Sequence, residues 1–120
     1  MKTLYRSKAA VRTLVAAACV SFACLLQAGG GTGALGASGT HTIVIAGMKF
    51  VPETLTVKAG DTVLWVNKDF FPHTATAQDR SFDSGDIATD KSWKYVATKK
   101  GMFSYVCTLH PTMKATLVVK

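Results

Sequence analysis

Met102-Phe-Ser-Tyr-Val-Cys107-Thr-Leu-His110-Pro-Thr-Met113-Lys-Ala-Thr-Leu-Val-Val119 reads as a strand, a tight loop and a second strand. Side chains alternate across a strand, so Phe103, Tyr105 and Cys107 share one face of Met102–Cys107, while Met102, Ser104 and Val106 share the other. Ala115–Val119 is rich in β-branched residues and closes the pair. The joining segment, Thr108–Met113, is too short for a helix. A thiol, an imidazole and a thioether follow one another at intervals of three residues across it. A tight loop can turn three such side chains towards one point, whereas a straight strand sends neighbours to opposite faces.

Working outward from this stretch, Thr42–Ala46 reads as a strand and Gly47–Pro52 as a loop, since Pro52 cannot donate to a ladder. Leu55 and Val57 alternate with Thr54, Thr56 and Lys58. The turn signal Ala59-Gly60-Asp61 then leads into a strand over Thr62–Asn67, which predicts a hairpin. Asp69-Phe-Phe-Pro72 breaks the pattern, and His73–Gln78 starts a short strand. Residues 78–90 are polar and loop-like, and Ser92–Ala97 alternates again through Trp93 and Tyr95 before the turn at Lys99-Lys100-Gly101. No segment sustains a helical period. Short strands at intervals of about ten residues predict an all-β sandwich with Trp65, Trp93, Phe103 and Tyr105 in its core.

The first third of the 120 residues reads differently. Lys2, Arg6, Lys8 and Arg12 precede an apolar run, Thr13–Leu26, and a small-residue stretch, Ala28–Gly39. That order is a secretory leader, cleaved after Ala28 or after Ala37. The apolar run is shorter than the ~20 residues that span a bilayer. The domain division is therefore 1–37 as leader and spacer and 38–120 as one folded domain. The leader takes four of the 14 Lys and Arg, leaving ten against seven Asp and Glu, a net charge of about +3. With no basic run interleaved with aromatics, nucleic-acid binding is not indicated. Cys19 and Cys24 leave with the leader, so Cys107 stands alone in an oxidising compartment and is either buried or occupied.

Taken singly, a cysteine at a strand end, a histidine beside a proline and a methionine in a loop each have a commoner structural explanation. Together, Cys107, His110 and Met113 with His73 after Pro72 supply the two imidazoles, thiolate and weak axial thioether of a trigonal copper site. His41 lies far from the other three. Zinc is disfavoured because a closed site needs four strong ligands and Met is a poor one. A cysteine nucleophile is disfavoured because no oxyanion-hole or orienting residue accompanies the pair.

Four stretches carry a family resemblance: Gly47-Met-Lys-Phe-Val-Pro52, Val57-Lys-Ala-Gly-Asp-Thr-Val-Leu-Trp-Val-Asn67, Pro72-His73 and Tyr105-Val-Cys-Thr-Leu-His-Pro-Thr-Met113. The chain over 41–120 resembles the small cupredoxins of the amicyanin/plastocyanin type. The resemblance implies an eight-stranded or slightly smaller Greek-key sandwich and one type 1 copper. His73, Cys107 and His110 would be its equatorial ligands and Met113 its axial ligand. It also implies a monomeric, non-enzymatic periplasmic carrier of single electrons, docking transiently with redox proteins near His110. The alternative is a periplasmic copper-homeostasis or delivery protein. Phe71, Pro72, Leu109 and Pro111 are candidates to frame the docking patch, and Lys49, Lys68 and Lys114 to steer an acidic partner. Two positions depart from these relatives. Thr74 stands where they have an Asn that ties the ligand loops together, and Leu109 stands where many have Pro, which leaves one more backbone donor near the Cys107 sulfur.

Overall fold

The computed structural model describes residues 36–120. All but its last two residues, the leader and spacer predicted over 1–37 lie outside them, and so do Cys19 and Cys24. Eight strands make two four-stranded sheets. They are β1 (Thr40–Ala46), β2 (Lys49–Val51), β3 (Thr54–Val57), β4 (Thr62–Asn67), β5 (Thr76–Ala77), β6 (Ser92–Val96), β7 (Gly101–Val106) and β8 (Lys114–Val119). One sheet has the order β2-β1-β4-β6, the other β3-β8-β7-β5. β1 runs parallel to β4 and β3 parallel to β8, the remaining pairs being antiparallel.

Two expectations are corrected. Gly47–Pro52 is not only a loop: Lys49–Val51 pairs antiparallel with β1. Gly47 and Met48 both take positive φ, 58° and 60°, the backbone of a two-residue turn whose twist matches its flanking strands. The predicted hairpin of β3 and β4 does not form either. Val57 pairs with Val119 in one sheet, while Thr62 pairs with Thr40 and Val96 in the other. Alternation establishes that both segments are strands with one buried face, but it does not say which sheet each joins.

The crossing between them is fastened by Asp61, which is buried. Its carboxylate accepts the amides of Lys58 (3.0 Å) and Gly39 (2.7 Å) and lies 2.8 Å from His41 Nε2. Those partners favour the charged form, first the Lys58 amide, then that of Gly39 and the His41 ring, and lower its pKa to about 2. A depressed carboxylate contributes stability that is present above its unfolded pKa and is lost as pH falls towards the folded value. Melting temperature should therefore fall between about pH 4 and pH 2. Asp61→Asn should destabilise the protein at pH 7 and flatten that acid limb; an unchanged limb in a pH series of thermal melts would contradict the assignment.

Between the sheets, Trp65 is fully buried, and its ring meets Tyr105 edge-on (centroids 5.6 Å, 88°), Phe82 at 5.6 Å and Trp93 at 5.4 Å. Ile43, Ile45, Val63, Phe103 and Leu117 fill the space around it. The core assignments of Trp65, Phe103 and Tyr105 hold, and Trp93 is partly buried against the same cluster. Because Tyr105 lies two residues before Cys107 on β7, the core and the loop that follows share a strand.

Candidate metal centre

The segment from Cys107 to Met113 leaves β7 and returns into β8, closed on itself by backbone bonds. Cys107 N donates to Met113 O (3.1 Å), His110 N to Cys107 O (3.3 Å) and Met113 N to His110 O (2.9 Å). These bonds hold the loop tight enough for Cys107 and Met113 to stay buried while His110 is partly exposed.

His73 reaches the same place from the opposite side. Its backbone forms an isolated antiparallel bridge with Ile87, and its side chain is fully buried. The loop before it is pinned by Asn67, which donates to the carbonyls of Phe71 (2.7 Å) and Ile87 (2.9 Å) and accepts from Asp69 N (2.9 Å).

Three donor atoms result: Cys107 Sγ lies 3.7 Å from His73 Nδ1 and 3.7 Å from His110 Nδ1, and the two nitrogens are 3.2 Å apart. A triangle of these sides has its centre about 2 Å from each corner, near the 2.0–2.3 Å of metal–imidazole and metal–thiolate bonds. Among the described residues these three form a cluster able to hold a metal ion. Met113 is buried at the C-terminal end of the same loop. His41 is elsewhere, bonded to Asp61.

Asp69, which sequence reasoning passed over as part of a strand break, organises the site. Its carboxylate accepts the amides of Gly47 (2.7 Å) and Met48 (2.9 Å) and lies 3.0 Å from His73 Nε2. Burial pushes its pKa up, but the amides of Met48 and Gly47 and the His73 ring outweigh it and hold the carboxyl below its usual range. A carboxylate there accepts a hydrogen bond from Nε2–H, which orients the His73 ring so that Nδ1 faces Cys107 and His110 as a candidate metal donor. Two imidazole nitrogens and a sulfur converging on one point are a donor set that suits copper. The sequence signal, an Asp four residues before a His in a proline-containing loop, was present but weak.

Thr74 makes the tie between the loops. Its hydroxyl accepts the Thr108 amide (2.9 Å) and lies 3.0 Å from the Thr108 hydroxyl and from that of Thr76. Its amide reaches the Cys107 sulfur at 3.3 Å. The backbone donor on that sulfur is thus Thr74 N, where the sequence pointed to Leu109. Beside His110, Phe71 and Leu109 are 60% and 46% exposed, and the Phe71 ring stands edge-on to His110 at 6.5 Å. Phe71 is therefore surface, not core. Of the three candidate steering lysines, Lys68 pairs with Asp90 at 3.3 Å, and Lys49 and Lys114 share a groove with Glu53 and Met113.

The chain is similar to known proteins. The chain is 30% identical to amicyanin of Paracoccus denitrificans over 119 residues, covering 82% of this chain and 91% of the relative. Its fold matches the Cu(I) structure of an amicyanin variant with a TM-score of 0.63 at 29% identity, over 68% of this chain and 82% of that one. It also matches a copper-containing nitrite reductase of Thermus scotoductus (TM-score 0.64, 28% identity), but over only 22% of that larger protein. Residues 14–119 match the family model for the cupredoxin-like domain, and with its two-sheet fold the chain belongs to the cupredoxin family.

Proposed function

We propose that this protein carries single electrons by means of one type 1 copper held by His73, Cys107, His110 and Met113. The observation that carries the reading is the His–Cys–His triangle, with the proton of one imidazole directed outward to Asp69. Copper bound there supplies a one-electron couple between Cu(II) and Cu(I). The protein's part is to keep the donors still: Asp69 fixes the His73 ring, the Thr74 amide stabilises charge on the Cys107 sulfur, and the Thr74–Thr108 tie locks one loop to the other. His110 is the partly exposed donor, and its ring, with Phe71, Pro72, Leu109 and Pro111 as its frame, is where we place electron entry and exit and the transient contact with a redox partner. A role as carrier and not enzyme is supported by the likeness to amicyanin and by the small share of the nitrite reductase that the chain matches.

Export to the periplasm as a monomer, with cleavage inside 1–37, belongs to the same proposal and rests on the basic, apolar and small-residue order of that segment. Among the described residues no helix is long and apolar enough to cross a membrane.

Loading the purified protein with Cu(II) should give an intense thiolate-to-metal visible band that bleaches on one-electron reduction and returns on reoxidation. A colourless protein that prefers zinc, or that takes copper only as Cu(I), overturns the carrier reading in favour of copper homeostasis. Asp69→Asn leaves one of its two backbone amides facing an NH₂ group and loosens His73. Cu(II) affinity, measured by competition with a chelator, should fall about 10–100-fold.

A further inference from the structure

At the end of the sandwich remote from the His–Cys–His cluster, strand register gathers four lysines. Lys58 follows Val57, whose partner is Val119; Lys120 N donates to Val57 O (3.0 Å), and its carbonyl accepts Ala59 N (2.9 Å). Lys100 precedes Gly101, which also pairs with Val119, and Lys99 beside it holds its Nζ 6.0 Å from the Phe103 ring centre. All four are exposed, and the ion pairs found among the described residues involve none of them. Two side-chain carboxylates lie at this end, besides the α-carboxylate of Lys120. Asp61 is taken up by the Gly39 and Lys58 amides and His41, and Asp79 is held low mainly by Ser81, with Lys99 a smaller contributor. At the metal end Lys68 pairs with Asp90, and Lys49 and Lys114 line a groove that also holds Glu53.

A second observation lies at the same place. Gly36, Ala37 and Ser38 line a groove with Lys58, Ala59, Gly60 and Asp61, so the first described residues lie at the basic end and not at the metal end. Val96 and Met102, 48% and 73% exposed, flank the lysines, Val96 opposite Thr62 and Met102 opposite Val118.

We infer that this basic end is a docking surface for an anionic lipid bilayer. Lysine ammonium groups reach anionic headgroups on flexible stems, each raising partitioning by about fivefold near such a surface, and the neighbouring Val96 and Met102 side chains add apolar contact at headgroup depth. Docked this way, the protein turns His110 and its apolar frame away from the bilayer, where a redox partner can reach them. The inference does not depend on which metal the other end holds.

The test is co-sedimentation of the protein, as isolated from the cells that make it, with phosphatidylcholine vesicles with and without phosphatidylglycerol. Partitioning should be stronger on the anionic vesicles, and that increment should vanish in 0.5 M salt on the order of the Debye argument. Lys99→Glu with Lys100→Glu should cut the increment by at least about tenfold. Lys68→Glu with Lys91→Glu, an equal change of net charge near the metal end, should leave it within about twofold, and unaltered thermal melts would establish that both variants are folded. Equal loss in the two pairs means that net charge alone is responsible, and no anionic increment in the parent protein means that no such surface exists; either result overturns the inference. Binding to polyglutamate without binding to anionic vesicles overturns it in favour of an acidic protein partner.

Discussion

Cys107→Ser should leave a folded protein that takes up Cu(II) without colour. The intense band of a copper–thiolate bond needs the sulfur, and a serine hydroxyl neither ionises at neutral pH nor offers a soft donor. Cys107 is fully buried between the two imidazoles, so a small oxygen there leaves His73 and His110 paired without their anionic partner. The loss of Cu(II) affinity should exceed the roughly 10–100-fold expected on removing an outer hydrogen-bond partner such as Asp69. The fold survives because the Thr74 amide, 3.3 Å from the sulfur, finds an acceptor in the serine hydroxyl, and because the backbone bonds that close the loop do not involve the side chain. Visible absorption and circular dichroism on the same sample separate the two effects. A folded serine variant that keeps the band would refute the assignment of Cys107, and one that unfolds would refute the expectation that the loop closes without the thiol.

The donor set was legible because its most informative part is local. Cys107, His110 and Met113 sit within seven residues of one another, and the strand-to-loop change around them can be read from alternation alone. Other features depended on contacts between distant segments. Parallel pairing of β1 with β4 and of β3 with β8 leaves no trace in spacing, so two neighbouring strands looked like a hairpin. β2 was hidden by Pro52 and by brevity, although Gly47-Met48 between apolar Ile45 and Phe50 is a turn signal. Asp69 and Asn67 matter through the backbone groups of residues 20 or more positions away, which no local pattern records. The identity of the donor on the Cys107 sulfur followed the same rule. Leu109 is two residues away in sequence, but Thr74 arrives from the other loop, and its hydroxyl also ties the two loops through Thr108. Lys68 was a candidate to steer an acidic partner, and its own partner, Asp90, comes from 22 residues away.

Trp65→Ala should be the most damaging single change to stability. The residue is 0% exposed and touches aromatic rings on three sides, Phe82, Trp93 and Tyr105. Removing a buried tryptophan costs about 3–5 kcal/mol, because the cavity it leaves collapses only in part. In a domain of this size that corresponds to a fall in melting temperature of about 15–30 °C. Trp65→Phe separates ring packing from polarity. Among the described residues the indole Nε1–H and the Tyr105 hydroxyl are both buried without a partner in good hydrogen-bonding geometry, and an unmade bond of that kind costs about 1–3 kcal/mol. Phenylalanine removes that cost while keeping most of the ring, so it should destabilise by less than about 2 kcal/mol. Denaturant titrations of the metal-free forms measure both values, with an unchanged slope as evidence that the unfolded states are comparable. The alanine variant carries a second readout at the metal end. Tyr105 packs edge-on against Trp65 and lies on β7 two residues before Cys107, so loosening it frees the end of the strand that positions the thiolate. A Trp65→Ala protein stabilised by cooling should therefore bind Cu(II) more weakly than the parent while Trp65→Phe binds it equally. Equal affinities in all three would mean that the loop, closed by its own backbone bonds, holds the donors without help from the core.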